Sequence, residues 1–558
     1  MKSTFTPRTP PNLTPLGPHP GWLSALLRAR GIHTEEEANR FLHPSLSDLH
    51  DPFLLSGMDR AIRLIRNAVA SGDRIMIFGD YDADGVCATA ILLETLSEIG
   101  AQVSFRLPSR HADGYGLNEN AVREISEKAR LLITVDCGIS NHAEVALAKE
   151  LGLTVIVTDH HQLPESLPPA DAILEPLLED YPCPVLCGAG VALKLCQALL
   201  GIEGAKKRLD LAAIATVADV VPLTGENRVI VREGLRCVES TARPGLRALL
   251  RVSGLSGTLS ADDLAFRLGP RLNAAGRLGD AALCVKLLLT GREETALSAA
   301  NQLEEMNRSR QAMEREITSA ARRQLSDRPL PPEERLILVS GEGWNPGLIG
   351  LTAGRLCEKY GLPSVVLSIP EDSGPAVGSC RSVPGVHLFE MLKLCGDLLL
   401  RFGGHELAAG LSVAPENIPA LRDRLNRVIR ENCDEACFRR ILPYDLAVPF
   451  SLWTEETLSL LRSLEPCGCG NPPPVFLLPG ASVQSLRRVG RDGAHLQLTF
   501  RDENNTFIKG IAFSLGEEAS QPPCEMDLLY TPIQNTFNNH TTIEAQIKAL
   551  QPSVSLFP

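Results

Sequence analysis

The clearest periodicity in this chain lies between residues 70 and 160. An uninterrupted apolar run, Ile75–Phe78, ends at Gly79, and the spacing then turns helical through Val86, Leu92, Leu93, Leu96 and Ile99, with Gly100 as a stop. Further apolar runs at Val103–Leu107, Leu131–Val135 and Thr154–Thr158 are separated by helical stretches such as AVREISEKA and NHAEVALAKELG. Short apolar runs alternating with helices predict a parallel, doubly wound sheet whose strands are covered on both faces.

The rest of the chain reads differently. Residues 1–50 are a helical lead-in, a Pro-rich tail followed by two short amphipathic helices in WLSALLRARG and TEEEANRFLHP. The sheet region takes residues 51–255. A helical, charged connector follows over 256–330, in which ALSAANQLEEMNRSRQAMEREITSAARRQL reads as one exposed helix between lobes, its charges a solvated face. Strands in RLILVS and SVVLSI mark a second, smaller α/β domain over 331–440. From 441 to 558 short strands (PPVFLL, HLQLTF, FIKGIAF, DLLYTPI, TTIEAQI) between Pro- and Gly-rich turns predict a β-barrel of the OB kind.

The chemistry is concentrated where the first set of strands ends. Asp80, Asp82 and Asp84 follow the first strand, Asp136 the third, and Asp159, His160 and His161 the fourth; Asp219 follows the apolar helix LDLAAIATVA. Three carboxylates on one tight turn repel one another, and a divalent cation is the natural compensation. An EF-hand is excluded, because the twelfth loop position is Ile91 and a strand stands where the entering helix belongs. Taken singly, Asp136 and Asp219 could be helix caps and His160 a satisfied core histidine. Convergence from several strands on one sheet edge, where ligands of open α/β sheets bind, favours a metal site.

Composition narrows the reading. A chain of 558 residues has room for three or four domains, and 44% hydrophobic with 22% charged residues is ordinary for a globular protein. The formal net charge of −12 excludes a surface coated in phosphate contacts, so any nucleic-acid binding needs a local groove. No apolar signal core opens the chain and no membrane span is expected. The fifteen cysteines are read as free thiols in a reducing cytoplasm, and Cys467 with Cys469 are too tightly spaced for a zinc site. Arg267, Arg271 and Arg277 lie among small residues that suit approach to phosphate, with solvated arginines as the equal alternative. Ser379 and Arg381 are further phosphate candidates, and Gly403-Gly404-His405 sets an imidazole beside a glycine pair. In the barrel, Arg487, Arg488 and Arg491 with Phe500, Phe513 and Tyr530 suggest a single-strand platform. The aromatics fit a barrel core equally well, and the segment carries seven Lys/Arg against twelve Asp/Glu.

The ordered set DYDADG, TVDCG, TDHH, ADVVPL and GGHELAAG resembles the DHH phosphoesterase superfamily and, within it, is similar to the RecJ exonucleases. RHADGYGLN, RLNAAGRL, GSCRSVPG and GCGNPPPVF extend the resemblance from about residue 50 to near the C-terminus. It implies two Mn2+ or Mg2+ ions held by Asp80, Asp82, Asp84, Asp136, His160 and Asp219, with Asp136 as bridge. It implies His161 as phosphate contact or proton donor, and Arg277, Ser379, Arg381, Gly404 and His405 as nucleic-acid contacts from the facing lobe. The implied activity is metal-dependent 5′→3′ degradation of single-stranded DNA in repair and recombination. The chain would act as a cytoplasmic monomer beside a helicase and a single-strand-binding protein. Two ions about 3.5–4 Å apart suit in-line displacement at phosphorus, and mixed carboxylate–imidazole ligation suits manganese. Two positions depart from the pattern: Asn345 stands where relatives often have His, and Glu175 where Asn is usual. The alternatives are a phosphodiesterase for short oligonucleotides or cyclic dinucleotides, and a non-catalytic single-strand scaffold.

Overall fold

Five parallel strands form the first sheet: β1 (Arg74–Gly79), β2 (Gln102–Arg106), β3 (Leu131–Val135), β4 (Thr154–Thr158) and β5 (Ala172–Leu174), in the order β2-β1-β3-β4-β5. The computed structural model describes residues 4–108, 116–372, 374–439, 441–490, 493–501, 504–516, 525–537 and 540–553. Most of RHADGYGLN and Arg491 therefore lie outside the described residues. Helices α1 (Ala83–Glu98), α2 (Glu119–Lys128) and α3 (His142–Glu150) connect the strands, as the alternation predicts. Ile75, Ile77, Phe78, Ile133 and Val157 are completely buried, which explains the unbroken apolar runs. Register then fixes the edge. Gly79 pairs with Val135, Val135 with Thr158, and Thr158 with Leu174. The four strands end level, and the residues that follow them, Asp80, Asp136, Asp159 and Glu175, leave the sheet in one row. Three more helices complete this region: α4 (Gly188–Lys206), α5 (Leu209–Ala218) and α6 (Gly225–Glu239).

The described chain folds as two compact units. Residues 271–284 and 298–441 form one; residues 5–270, 285–297 and 442–558 form the other. In the first of these, α7 (Glu293–Asp327) supplies most of its length from residue 298 on. Its solvated face is there, with Glu305, Arg308, Arg315, Glu316, Arg322 and Arg323 exposed, but the opposite face is not: Leu303, Ile317 and Ala321 are buried, and so are Asn307, Glu314 and Thr318. The buried charge has partners: Glu314 accepts from Arg310 at 3.1 Å and from Arg355 at 2.7 Å. The accompanying sheet has β6 (Ile337–Glu342), β7 (Ser364–Ile369), β8 (Ala376–Arg381), β9 (Leu399–Gly404) and β10 (Ala408–Val413) in the order β9-β10-β8-β7-β6. Helix α8 (Ile349–Tyr360) joins β6 to β7, which are parallel; the remaining pairs are antiparallel.

In the other unit the C-terminal strands β11 (Phe476–Val489), β12 (His495–Arg501), β13 (Phe507–Ala512), β14 (Glu525–Phe537) and β15 (His540–Pro552) close into a barrel, because β14 pairs with both β15 and β11. Phe500 and Tyr530 are fully buried in its core, so two of the three aromatics offered as a platform are packing residues. Phe513 is exposed, with its ring 5.4 Å from that of His495. The barrel core also takes in Leu23, Leu26, Leu27 and Leu42 from the two N-terminal helices. Arg228 of α6, buried and lying 3.8 Å above the ring of Phe41, donates to the carbonyls of Phe41, Ser463, Leu464, Glu465 and Pro466. One guanidinium thus ties α6 to the lead-in and to the segment entering the barrel. Beside it, Lys194 and Glu226 form a completely buried ion pair at 2.8 Å, with Tyr181 donating to the same carboxylate at 2.5 Å.

Candidate metal centre

The turn after β1 orders its own acids. Asp82 caps α1, its Oδ1 accepting from the N–H groups of Asp84 at 2.9 Å and Gly85 at 3.1 Å. Asp84, inside the first turn, points to a second helix start: the N–H groups of Gly188 and Ala189 donate to its two oxygens at 2.6 and 2.7 Å. Two of the otherwise unpaired N–H donors at the start of α4 thereby satisfy both oxygens of a buried carboxylate. Only glycine fits at the head of α4, because a Cβ on Gly188 would lie 2.6 Å from Cβ of Asp136.

Asp136 takes a left-handed backbone, φ 59°, which turns its side chain back over the sheet edge. His160 Nε2 lies 3.1 Å from Asp136 Oδ1 and 3.7 Å from both Asp84 Oδ2 and Asp219 Oδ2. Asp219 reaches this point from the C-terminal cap of α5. Three ligand groups result, each with its donor atoms within 4.8 Å of one another: Asp80 with Asp82 and Asp136, Asp84 with His160 and Asp219, and Asp136 with His160 and His161. The six residues expected to hold metal are brought together, and Asp136 belongs to two of the groups.

The electrostatics follow from burial. Asp136 is pushed well above the usual carboxylate range by burial and by the charges of Asp84, Asp82 and Asp80. Burial and Asp84 raise Asp82 as well, against its two backbone hydrogen bonds. Asp219 is pushed up to about 8 by burial, Asp84 and Asp82. Burial lowers His160 and so favours the neutral imidazole that a metal requires. Among the described residues, the nitrogen ligand within 4 Å of Asp84, Asp136 and Asp219 is the imidazole of His160. Acids this crowded, beside an imidazole kept neutral, fit divalent cations.

Asp159, visible in the sequence as a strand-end carboxylate but given no role there, is the orienting group of the site. Its carboxylate accepts from the N–H groups of Ile139 at 2.9 Å, His160 at 2.8 Å and His161 at 3.3 Å, and from His161 Nδ1 at 2.7 Å. It orients both histidines without joining the ligand groups, a role hinted at only by its place directly before the pair. Burial opposes a charge on His161, but the hydrogen bond and charge of Asp159, with Asp219 and Asp84, push it up to about 9. Glu175, next in the row, is fully buried, accepts from Leu177 N–H at 3.1 Å, and is pushed up to about 8 by burial and by Asp159.

Arg271, Arg277, Ser379, Arg381, Gly404 and His405 belong to the other unit, whereas Arg267 and the barrel arginines lie in the unit of the metal centre. Ser379 and Arg381 face the same way on β8, with Arg381 Nη1 3.3 Å from Ser379 Oγ. Ser379 pairs with Gly410, which pairs in turn with Gly403, so small residues flank that row. Gly350, in the first turn of α8, leaves room above them: a Cβ there would lie 2.9 Å from Ser379 Oγ and 3.4 Å from Arg381 Nη2. Gly404 and exposed His405 form the β9–β10 turn, closed by His405 N–H to Ala408 O at 2.8 Å. Arg277 donates to Gly347 O at 2.7 Å, and Asn345 Oδ1 accepts from Gly347 N–H at 2.8 Å. The departure at Asn345 is therefore a turn-forming one. Arg267 is engaged with the carbonyls of Ser253 and Gly254, and Arg271 with Glu304 at 2.7 Å.

Comparison with known proteins bears on all three regions. The DHH family N-terminal domain matches residues 74–218, the DHHA1 domain 334–431 and the RecJ OB domain 444–549. The single-stranded-DNA-specific exonuclease RecJ of Bacillus subtilis is 39% identical over 543 residues, covering 96% of this chain and 68% of that one. Its counterpart in Escherichia coli is 35% identical over 566 residues, covering 96% of each. The crystal structure of RecJ from Thermus thermophilus in complex with Mn2+ matches with a TM-score of 0.82 at 34% identity, covering 96% of this chain and 76% of that one.

Proposed function

Because the chain belongs to the RecJ family of single-stranded-DNA-specific exonucleases, we propose that it removes nucleotides from single-stranded DNA by metal-dependent phosphodiester hydrolysis, proceeding 5′→3′. The observation that carries this is the sharing of Asp136 between two ligand groups, with His160 Nε2 3.1 Å from it. Asp80, Asp82 and Asp136 would hold one ion; Asp84, His160 and Asp219 the other, with Asp136 between them. When bound, such a pair supplies Lewis acidity at phosphorus and an activated water.

The remaining roles fall to the chain's own groups. His161 is charged at neutral pH, held by Asp159, and placed to contact a phosphate or to protonate the leaving oxygen. Ser379 and Arg381, with Arg277, Gly404 and His405, bind the phosphate backbone; a planar guanidinium suits that task. The division of labour assigns residues 51–255 to chemistry, 331–440 to substrate and 441–558 to guiding the strand.

In the cell it serves repair and recombination, with a helicase supplying single strands and a single-strand-binding protein keeping them open. It acts as a monomer in the cytoplasm, a reducing setting in keeping with the free cysteines among the described residues. No helix among the described residues is long and apolar enough to cross a membrane.

The test uses end-labelled 5′-phosphorylated strands, duplexes and dinucleotides with Mn2+. Stepwise loss from the 5′ end of long single strands supports the reading, and preference for dinucleotides reverses it. Asp136→Ala should abolish cleavage while strand binding persists; normal cutting by that variant removes the metal assignment.

A further inference from the structure

Asp82, Asp84 and Asp159 each accept hydrogen bonds from main-chain N–H groups, which fix their carboxylates locally. Asp219 is different. Among the described residues no main-chain N–H donates to its carboxylate, so the path of its loop decides where it points. That loop, residues 219–224, turns through φ +61° at Val220 and is then tied down at two points. Asn227 Nδ2 donates to Pro222 O at 3.0 Å, and Leu223 N–H donates to Cys469 O at 2.8 Å.

The second tie comes from far along the chain. Cys469 lies in a tight turn, Gly468–Asn471, closed by Gly468 N–H to Asn471 O at 2.8 Å and Asn471 N–H to Gly468 O at 3.2 Å. The turn is anchored by buried Asn471, whose Nδ2 donates to the carbonyls of Leu464 and Pro466, both at 2.8 Å, and whose Oδ1 accepts from Arg30 Nε at 2.7 Å. Its two glycines press on the loop. A Cβ on Gly470, at φ +70°, would lie 2.9 Å from Pro222 Cβ, and one on Gly468 would lie 2.7 Å from Leu223 Cδ1.

We propose that the Gly468–Asn471 turn is a positioning element for the carboxylate of Asp219, with Gly470 and Asn471 as its positioning residues. The segment leading into the barrel thus completes the metal centre of the catalytic sheet. Partners behind a metal ligand commonly set affinity by ten- to a hundredfold. This inference rests on the reading of Asp219 as a ligand.

The test measures Mn2+ binding to the full chain by titration calorimetry, and cleavage across a Mn2+ series. Gly470→Ala should bind Mn2+ about tenfold more weakly, with cleavage recovered by excess Mn2+ and KM for the strand unchanged. Gly468→Ala, at an ordinary φ, adds a Cβ that meets Leu223 alone within 4 Å and should act in the same direction if Gly470→Ala fails to fold. Gly480→Ala is the control: φ is +63° but the added Cβ meets nothing within 4 Å, so Mn2+ binding should stay as in the parent chain. Asp219→Asn reports on the underlying reading. If it weakens Mn2+ binding while both turn variants bind normally, the positioning role is wrong and the ligand assignment stands. If Gly480→Ala weakens binding as much as Gly470→Ala, general backbone strain is the cause and the positioning role is wrong. If Asp219→Asn itself binds Mn2+ normally, ligand assignment and positioning role fall together.

Discussion

Asp219→Asn should have opposite effects on the metal-free and metal-loaded protein. The Asp219 carboxyl titrates at about 8 in the fold, against an ordinary value of 3.8. Between those two values the folded state holds a proton that the unfolded chain has released. The metal-free fold therefore loses stability as pH rises from about 4 to about 8, and is unaffected by this group below that window. At about 1.4 kcal/mol per pH unit the ceiling is roughly 6 kcal/mol. A quarter of the side chain reaches solvent, at 24% exposure, and screening leaves about 2–3 kcal/mol. Asparagine has nearly the same shape and does not titrate, so the metal-free variant should be about 2–3 kcal/mol more stable than the parent at pH 8. Near pH 4 the two should match. Mn2+ at a thousand times its Kd should reverse the order at pH 8, because it adds about 4.1 kcal/mol to the parent and a variant without that ligand gains little of it. Urea unfolding at pH 4, 6 and 8, with chelator or with Mn2+, reads all of these. Equal metal-free stability of parent and variant at pH 8 would refute the electrostatic reasoning. An undiminished response to Mn2+ would remove Asp219 from the ligands.

Three further outcomes are expected. Asp159→Asn takes away the partner that holds the His161 proton, so kcat should fall about 10²–10³-fold and its alkaline decline should begin well below pH 9; an unchanged pH profile would clear His161 of a proton-bearing role. Lys194→Met strands the buried Glu226 carboxylate and should cost about 3–5 kcal/mol in urea unfolding, with Lys194→Met plus Glu226→Gln recovering most of it; no recovery would mean that lost packing is the cause. Arg381→Ala should weaken strand binding and flatten the salt dependence of log K by about 0.7 for each phosphate no longer neutralised, leaving Mn2+ affinity alone; an unaltered slope would take Arg381 off the phosphate path.

Much of the catalytic sheet is legible without coordinates, because each apolar run ends in the residues that do chemistry. Asp80, Asp136 and His160 are visible as strand-end residues for that reason, and Asp219 as a carboxylate closing an apolar helix. Asp159 is equally visible there but its role is not, since a carboxylate that orients neighbours has the same one-letter signature as one that binds metal. The barrel aromatics were equally ambiguous. Phe500 lies within β12 and is buried, whereas Phe513 stands one residue past the end of β13 and is exposed, and the apolar pattern does not say where a strand stops.

What the sequence determined by itself is local: strand and helix periods, the turn chemistry of DYDADG, and the order in which acids and histidines leave the strands. These depend on residues within a few positions of one another. Tertiary structure alone decided that Gly79, Val135, Thr158 and Leu174 end level, and that Gly188 and Ala189 meet Asp84 across about a hundred residues of chain. It also sent the N-terminal helices to the barrel core and set a turn near residue 470 against the loop of Asp219. Those outcomes depend on which buried surfaces meet and which distant donors satisfy buried oxygens, and no local pattern of apolar and polar residues carries that information.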